Sequence, residues 1–440
     1  MINRRDFLRL GAAASGGAAA AHFVPDLLSS EASSPNSDAK ALERNAPPRD
    51  SSATPDTKAA ATNMAKSDGG QRTLVVIELA GGNDGLNTVI PITGQQGSAY
   101  RRLRTHVAIP EKDLVPFTDD FALHPSLKRL AARGVAVIGG VGVANPDGSH
   151  FEMQRRWATA DLDGKSNPTT GFLGRLSDTI GDKDAPAIAL GLGSGSSPTL
   201  NSAWAPTVNL ASLGSAELFR PNRDDAMLTA FQNGFRRLAN TAAAPSEASI
   251  RGAVGAGMLQ ALRTAGLVTA DQDSGDEGIV QSDLGRSLAS AFRLLRQPSL
   301  GLRIVTVTLD GFDTHSGMLD QHAQRLNELD EAVDSFLNAV ERAGMGDRVL
   351  VATTSEFGRR AKDNGSNGLD HGAASIAMLA GSVRKGMHGE YSSLSALDSD
   401  DNLKANVDMG DYLATLASWF EVDPHEVVSK RSNALASVFS

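Results

Sequence analysis

Apolar residues in this chain come in unbroken runs that alternate with stretches of helical period. From Thr73, "TLVVIELA" is continuously apolar, the pattern of a strand buried on both faces. "HPSLKRLAARG" reads as a helix ending at Gly134, "VAVIGGVG" as the next strand, and "SHFEMQRRWATA" as a helix. "APAIALGLG" and "PTVNL" predict short strands, and "LRIVTVTLD", "DRVLVATT" and "SIAMLAG" predict longer ones. Helical period marks "DAMLTAFQNGFRRLA", "SDLGRSLASAFRLLR", a long segment from about 319 to 343, and one near 411 to 420. This alternation predicts an α/β domain over residues 73–440, a mainly parallel sheet with helices on both faces. The helical stretch over about 213–298 reads as an insertion or cap. In such a sheet, ligands bind beyond the carboxyl ends of the strands.

Outside the domain the pattern is different. Residues 23–72 are rich in Ser, Ala, Pro and Asp with no hydrophobic period, which predicts a solvated linker. Residues 1–22 carry Arg4 and Arg5, then Phe7 and Leu8, then a weakly apolar Ala/Gly run with small residues at Ala18 to Ala21. That arrangement resembles a twin-arginine signal peptide, and the run is too short and too weakly apolar for a stable transmembrane span. The expectation is export by the twin-arginine machinery to the periplasm or beyond. That route carries folded proteins, so any metal would be acquired before crossing.

Composition narrows the chemistry. With 41% hydrophobic and 21% charged residues, the 440-residue chain is that of a globular protein able to bury a sizeable core. A net charge of −9 supplies no basic footprint for nucleic acid. No cysteine is present, so disulfides and thiolate metal sites are excluded.

What remains is concentrated after the strands. "TLVVIELA" leads through Gly81, Gly82 and Asn83 to Asp84, a segment that also suits a plain turn. "VAVIGGVG" leads to Ser149, which with Glu152 forms an S-x-x-E capping box. A serine at a helix start also stands where backbone N–H groups attract an oxyanion. "LRIVTVTLD" leads to Asp313 and His315, readable as a surface ion pair or as two metal ligands. "DRVLVATT" leads to Glu356 and then to Asp370 and His371; the histidine, before Gly372, could simply close a turn. Imidazole together with carboxylate favours Zn or Mn over Mg or Ca, which prefer oxygen alone. His124 and His150 are weaker candidates, and His322 and Arg325 read as the exposed face of a helix.

The stretches "ELAGGNDGLNT", "GSHFEMQRRW", "GFLGR", "FDTHSG", "SEFGR" and "LDHG" resemble a bacterial family, domain of unknown function 1501, of the alkaline phosphatase and sulfatase-like superfamily. The resemblance implies an alkaline-phosphatase-like fold and a metal-dependent hydrolase acting on anionic esters. It implies that Ser149 is the nucleophile and that Asp84 is a metal-bridging carboxylate. It makes Asp313, His315 and His371 ligands of one divalent ion and Glu356 a carboxylate for a second. The alternative is a non-catalytic metal-binding protein of the envelope that binds a polymer or protein partner. Glu356-Phe357 stands where the superfamily's phosphatases carry Asp-His. Neither C-x-P-x-R nor S-x-P-x-R occurs, so a modified-residue sulfatase is not expected.

Overall fold

The computed structural model describes residues 71–193, 197–210, 226–243, 250–269, 277–429 and 431–439. The expected signal segment and the linker up to residue 70 lie outside the described residues, as do parts of the 213–298 stretch. In chain order the strands are β1 (Thr73–Leu79), β2 (Val89–Pro91), β3 (Val115–Pro116), β4 (Phe121–Leu123), β5 (Ala136–Gly142), β6 (Ala189–Leu192), β7 (Thr207–Leu210), β8 (Ile304–Leu309), β9 (Val349–Thr354), β10 (Ser375–Gly381), β11 (Gly386–His388) and β12 (Val407–Asp408). The helices are α1 (Gly85–Thr88), α2 (Gly94–Leu103), α3 (Lys128–Arg133), α4 (His150–Thr159), α5 (Phe172–Ile180), α6 (Ala226–Ala243), α7 (Ile250–Thr269), α8 (Asp283–Leu295), α9 (Met318–Arg342) and α10 (Met409–Ser418).

Nine strands form one sheet in the order β11-β5-β10-β9-β1-β8-β6-β7, with β12 paired to β5. β1 lies at its centre, parallel to β8 and β9. Its side chains divide by the two-residue period of a strand. Val75, Ile77 and Leu79 join a core with Leu288 and Phe292 of α8 and Leu329, Val333 and Phe336 of α9. Leu74 and Val76 join a core on the other face with Leu176 of α5 and Leu413 and Leu416 of α10. Burial on both faces is why "TLVVIELA" has no polar alternation.

β10 is the exception to the parallel rule, running antiparallel to both β5 and β9. Its beginning therefore lies at the edge where β1, β5, β8 and β9 end. Beside this edge β2, β3 and β4 make a small antiparallel sheet whose runs are too short to show a period in the sequence. The expected insertion also divides. α6 and α7 pack on each other closely enough that a Cβ at Gly255 would lie 2.3 Å from the Ala243 nitrogen. α8, by contrast, is a core helix against the sheet rather than part of a cap. Among the described residues, no helix is long and apolar enough to cross a membrane.

Candidate metal centre

Three loops at the carboxyl edge bring the centre together. β5 leads to the start of α4, where Ser149 is the N-cap and His150 the first helical residue. β8 leads through Gly311 to Asp313 and His315. The loop before β10 carries Asp370 and His371, and the reversed direction of β10 is what sets His371 at this edge. One ligand atom from each of His150, Asp313 and His371 lies within 4.8 Å of the others. Asp313 Oδ2 is 3.6 Å from His150 Nε2, and its Oδ1 is 3.4 Å from His371 Nε2. His315 Nε2 stands 3.2 Å from the same Oδ1 and 2.9 Å from His371 Nε2.

The tautomers follow from the opposite side of each ring. His371 Nδ1 faces the carbonyl oxygen of Gly148 at 2.8 Å, which only accepts, so Nδ1 carries the proton. His150 Nδ1 donates to Glu356 Oε1 at 3.0 Å, and His315 Nδ1 faces Asp370 Oδ1 at 3.4 Å. In a neutral ring with Nδ1 so engaged, Nε2 is a lone pair, and all three Nε2 atoms are turned towards the carboxylate of Asp313. Two imidazole lone pairs 2.9 Å apart beside a carboxylate repel one another unless a proton or a metal ion lies between them. A ring whose other nitrogen donates to a carbonyl or carboxylate is the normal setting of a metal-bound histidine. The residues present therefore fit a divalent cation, with His150, Asp313 and His371 as its ligands and His315 in reach of two of the three.

Electrostatics keep the acid ionised. Burial pushes the Asp313 carboxyl upward, but the hydrogen bond and charge of Arg359, at 2.6 Å, win and hold it below the usual carboxylate range. Burial lowers His371 from the ordinary imidazole value, which favours the neutral, ligating ring. Phe357 packs beside both rings, with centroids 4.9 Å from His150 and 4.4 Å from His371.

The other expected residues are placed differently. Asp84 is 1% exposed, and both its oxygens are held by Arg104, at 2.7 and 2.8 Å. Burial raises its carboxyl and the Arg104 charge and hydrogen bonds outweigh that, leaving it lowered. The structure thus gives Asp84 a guanidinium partner, and no hydrogen bond or ion pair among the described residues joins it to the histidines. Glu356 accepts from Gly81 N–H at 2.8 Å and from His150 Nδ1 at 3.0 Å, which places it behind the His150 ring. The capping box is not formed. Ser149 is the N-cap by position, yet its hydroxyl makes no cap hydrogen bond, and Glu152 instead binds Arg155. The Ser149 backbone is set by Asp147, whose Oδ1 accepts its N–H at 2.7 Å.

Two readings from sequence are corrected outright. His150 belongs to the centre; the signal for it was its place at the start of the helix that follows a buried strand. His322 is not on an exposed face, being 1% exposed with Nε2 3.1 Å from Asn83 Oδ1.

Comparison with known proteins adds the family. No curated protein matches the chain. Solved structures resemble it at low identity. The C-terminal periplasmic domain of EcEptC from Escherichia coli, in complex with Zn, is 11% identical, with 84% of this chain and 88% of that one covered and a TM-score of 0.41. The lipoteichoic acid synthase LtaP from Listeria monocytogenes is 8% identical, covering 83% and 74%, with a TM-score of 0.37. A protein in the alkaline phosphatase superfamily from Vibrio parahaemolyticus is 11% identical, covering 83% and 71%, with a TM-score of 0.34. Likeness at this level says nothing about what this chain acts on. The family model described as "Protein of unknown function (DUF1501)" matches residues 146–436, which takes in His150, Asp313, His315, Glu356 and His371 but not Asp84. Since that match covers well over half of the chain, the protein belongs to the DUF1501 family.

Proposed function

We propose that this chain is an exported, metal-dependent hydrolase of phosphate or sulfate esters. The observation that carries the reading is the convergence of imidazole Nε2 atoms, each with its Nδ1 committed to an acceptor, on the carboxylate of Asp313. A nitrogen-rich set with one carboxylate suits Zn or Mn. Held by His150, Asp313 and His371, such an ion supplies Lewis acidity and neutralises charge on the group transferred. Ser149 stands at the start of α4, where the first N–H groups of the helix favour an anionic group. In this reading its hydroxyl oxygen bonds to phosphorus or sulfur as the ester oxygen departs, the hydroxyl proton passing to solvent and the departing oxygen leaving as the alcohol or phenol once protonated from solvent. Water later releases the inorganic anion and restores the hydroxyl.

A second reading has a specific observation behind it. Among the described residues, no hydrogen bond is made by the Ser149 hydroxyl, so no side chain is in place to take its proton. This favours a non-catalytic metal-binding protein of the envelope. The two separate in one experiment on folded protein loaded with Zn or Mn. Chelation and His371→Ala should each abolish hydrolysis of aryl phosphate or aryl sulfate. Ser149→Ala should abolish turnover with metal content unchanged. Full metal occupancy with no turnover of either ester would establish the binder instead.

A further inference from the structure

Arg359 enters neither reading, yet it is 1% exposed and every arm of its guanidinium is engaged. Nε donates to the carbonyl of Gly82 at 2.8 Å and Nη1 to that of Leu369 at 3.0 Å. Nη2 donates to the carbonyls of Gly81 and Phe312 and to Asp313 Oδ1. The same residue pairs through its backbone with His371 in an isolated antiparallel bridge. One arginine from the loop after β9 therefore ties together the loops after β1 and β8 and the loop before β10. It touches a proposed ligand at both ends: His371 through its main chain and Asp313 through its side chain.

We infer that Arg359 is the positioning residue of the centre: it sets the orientation of Asp313 and fixes the distance between the Asp313 and His371 loops. The inference rests on the metal reading above. The physical reason is a matter of both geometry and charge. Asp313 is half exposed and follows a glycine loop, so without a partner its carboxylate would rotate freely. With Oδ1 anchored by a planar donor that is itself immobilised by four carbonyls, Oδ2 is left directed at His150. The buried positive charge also offsets that of Asp313, so a bound divalent ion keeps most of its own charge for an anionic ligand. Lysine retains the charge but has one donor centre in place of the planar fork, and cannot hold Asp313 and the carbonyls together.

The test is a Co2+ titration of the full-length wild-type protein and of Arg359→Lys, followed by visible absorption, with thermal melts alongside. Wild type should bind Co2+ with a defined d–d spectrum. Arg359→Lys should bind it roughly tenfold or more weakly, with a changed d–d spectrum because the carboxylate has moved. A residue that only stabilised the fold would lower the melting temperature and leave the spectrum of the bound ion as in wild type. That result overturns the inference while leaving the metal reading intact. No Co2+ uptake by wild type would overturn both. Should Arg359→Lys fail to fold, amide exchange of the wild type decides. Co2+ should slow exchange in 79–83, a segment with no proposed ligand that Arg359 ties to the centre through Gly81 and Gly82. Protection confined to segments that carry ligands would reject the role.

Discussion

His124 and His322 meet edge to face in the interior, with ring centroids 5.7 Å apart. Burial, above all, holds both well below the ordinary imidazole, His124 at about 3 and His322 at about 4. Each therefore stays neutral in the folded protein at a pH where the unfolded chain, titrating near 6.5, takes up a proton. The sign is fixed by this lowering. Their contribution to stability is fully present above about 6.5 and is lost as pH falls through the folded values. Between those limits each histidine contributes a slope of about 1.4 kcal/mol per pH unit. The lowered carboxyl of Asp84 acts in the same direction at more acid pH, its contribution being present above the unfolded carboxyl value. Urea unfolding of chelator-treated protein should therefore show stability falling steadily from pH 7 to pH 4.5. His322→Gln keeps a donor towards Asn83 and removes one titrating group, so the curve should flatten by about one proton. An unchanged slope in His322→Gln would show that His322 already carries a proton in the folded state.

At the scale of elements, the turn between β1 and α1 explains what two adjacent glycines are for. Gly81 and Gly82 have φ of 113° and 86°. A Cβ at Gly81 would lie 2.3 Å from the Asp313 nitrogen, and one at Gly82 would lie 2.4 Å from the Phe357 ring. The glycines thus let the loops of β8 and β9 close over the end of β1, and do not serve to turn Asp84 towards an ion. Gly81→Ala should cost about 1–3 kcal/mol for the backbone alone and should weaken metal binding by displacing Asp313. Gly94→Ala supplies the control, since Gly94 also has positive φ but nothing within 4 Å of its missing Cβ. There the expected cost is backbone strain alone, about 1 kcal/mol, with metal affinity as in wild type. Equal metal affinity in both variants would mean that the turn does not set the position of Asp313. This turn also marks where the sequence stops being legible. Continuous apolar runs reveal β1, β5, β8, β9 and β10 because burial on both faces demands them. From strand ends to partners there is no such rule. Asp84 and Asp313 each follow a strand through glycine, and spacing does not say which one meets histidine. The difference is Arg104, in a polar "RRLRTH" stretch that reads as surface but is fully buried against Asp84. His150 was obscured for a related reason. A helix-start serine with a glutamate three residues on suggests a local cap, while the structure directs both Glu152 and His150 to other partners.

For the molecule as a whole, the centre joins parts of the chain that are far apart in sequence but share one edge of one sheet. His150 follows β5, Asp313 follows β8, and His371 precedes β10, so the three ligands span most of the width from β5 to β8. Unfolding separates them completely, because no two are close enough in sequence to form a site in the extended chain. An ion that binds only the folded arrangement must therefore stabilise the entire sheet by mass action, by about 2.7 kcal/mol at a hundredfold excess over its dissociation constant. At this chain length that corresponds to a rise in melting temperature of roughly 3 °C. Thermal melts in chelator and in graded Zn or Mn should show a shift that grows with the logarithm of metal concentration. His371→Ala and Asp313→Asn should both abolish it. Glu356→Gln should retain a reduced shift, since an amide can still accept from His150 Nδ1 without carrying the charge that strengthens the ring as a ligand. A shift that survives unchanged in His371→Ala would place the ion elsewhere on the molecule. Equal loss in Glu356→Gln and His371→Ala would make Glu356 a ligand and not an orienting group, reversing the order in which the two carboxylates are read here.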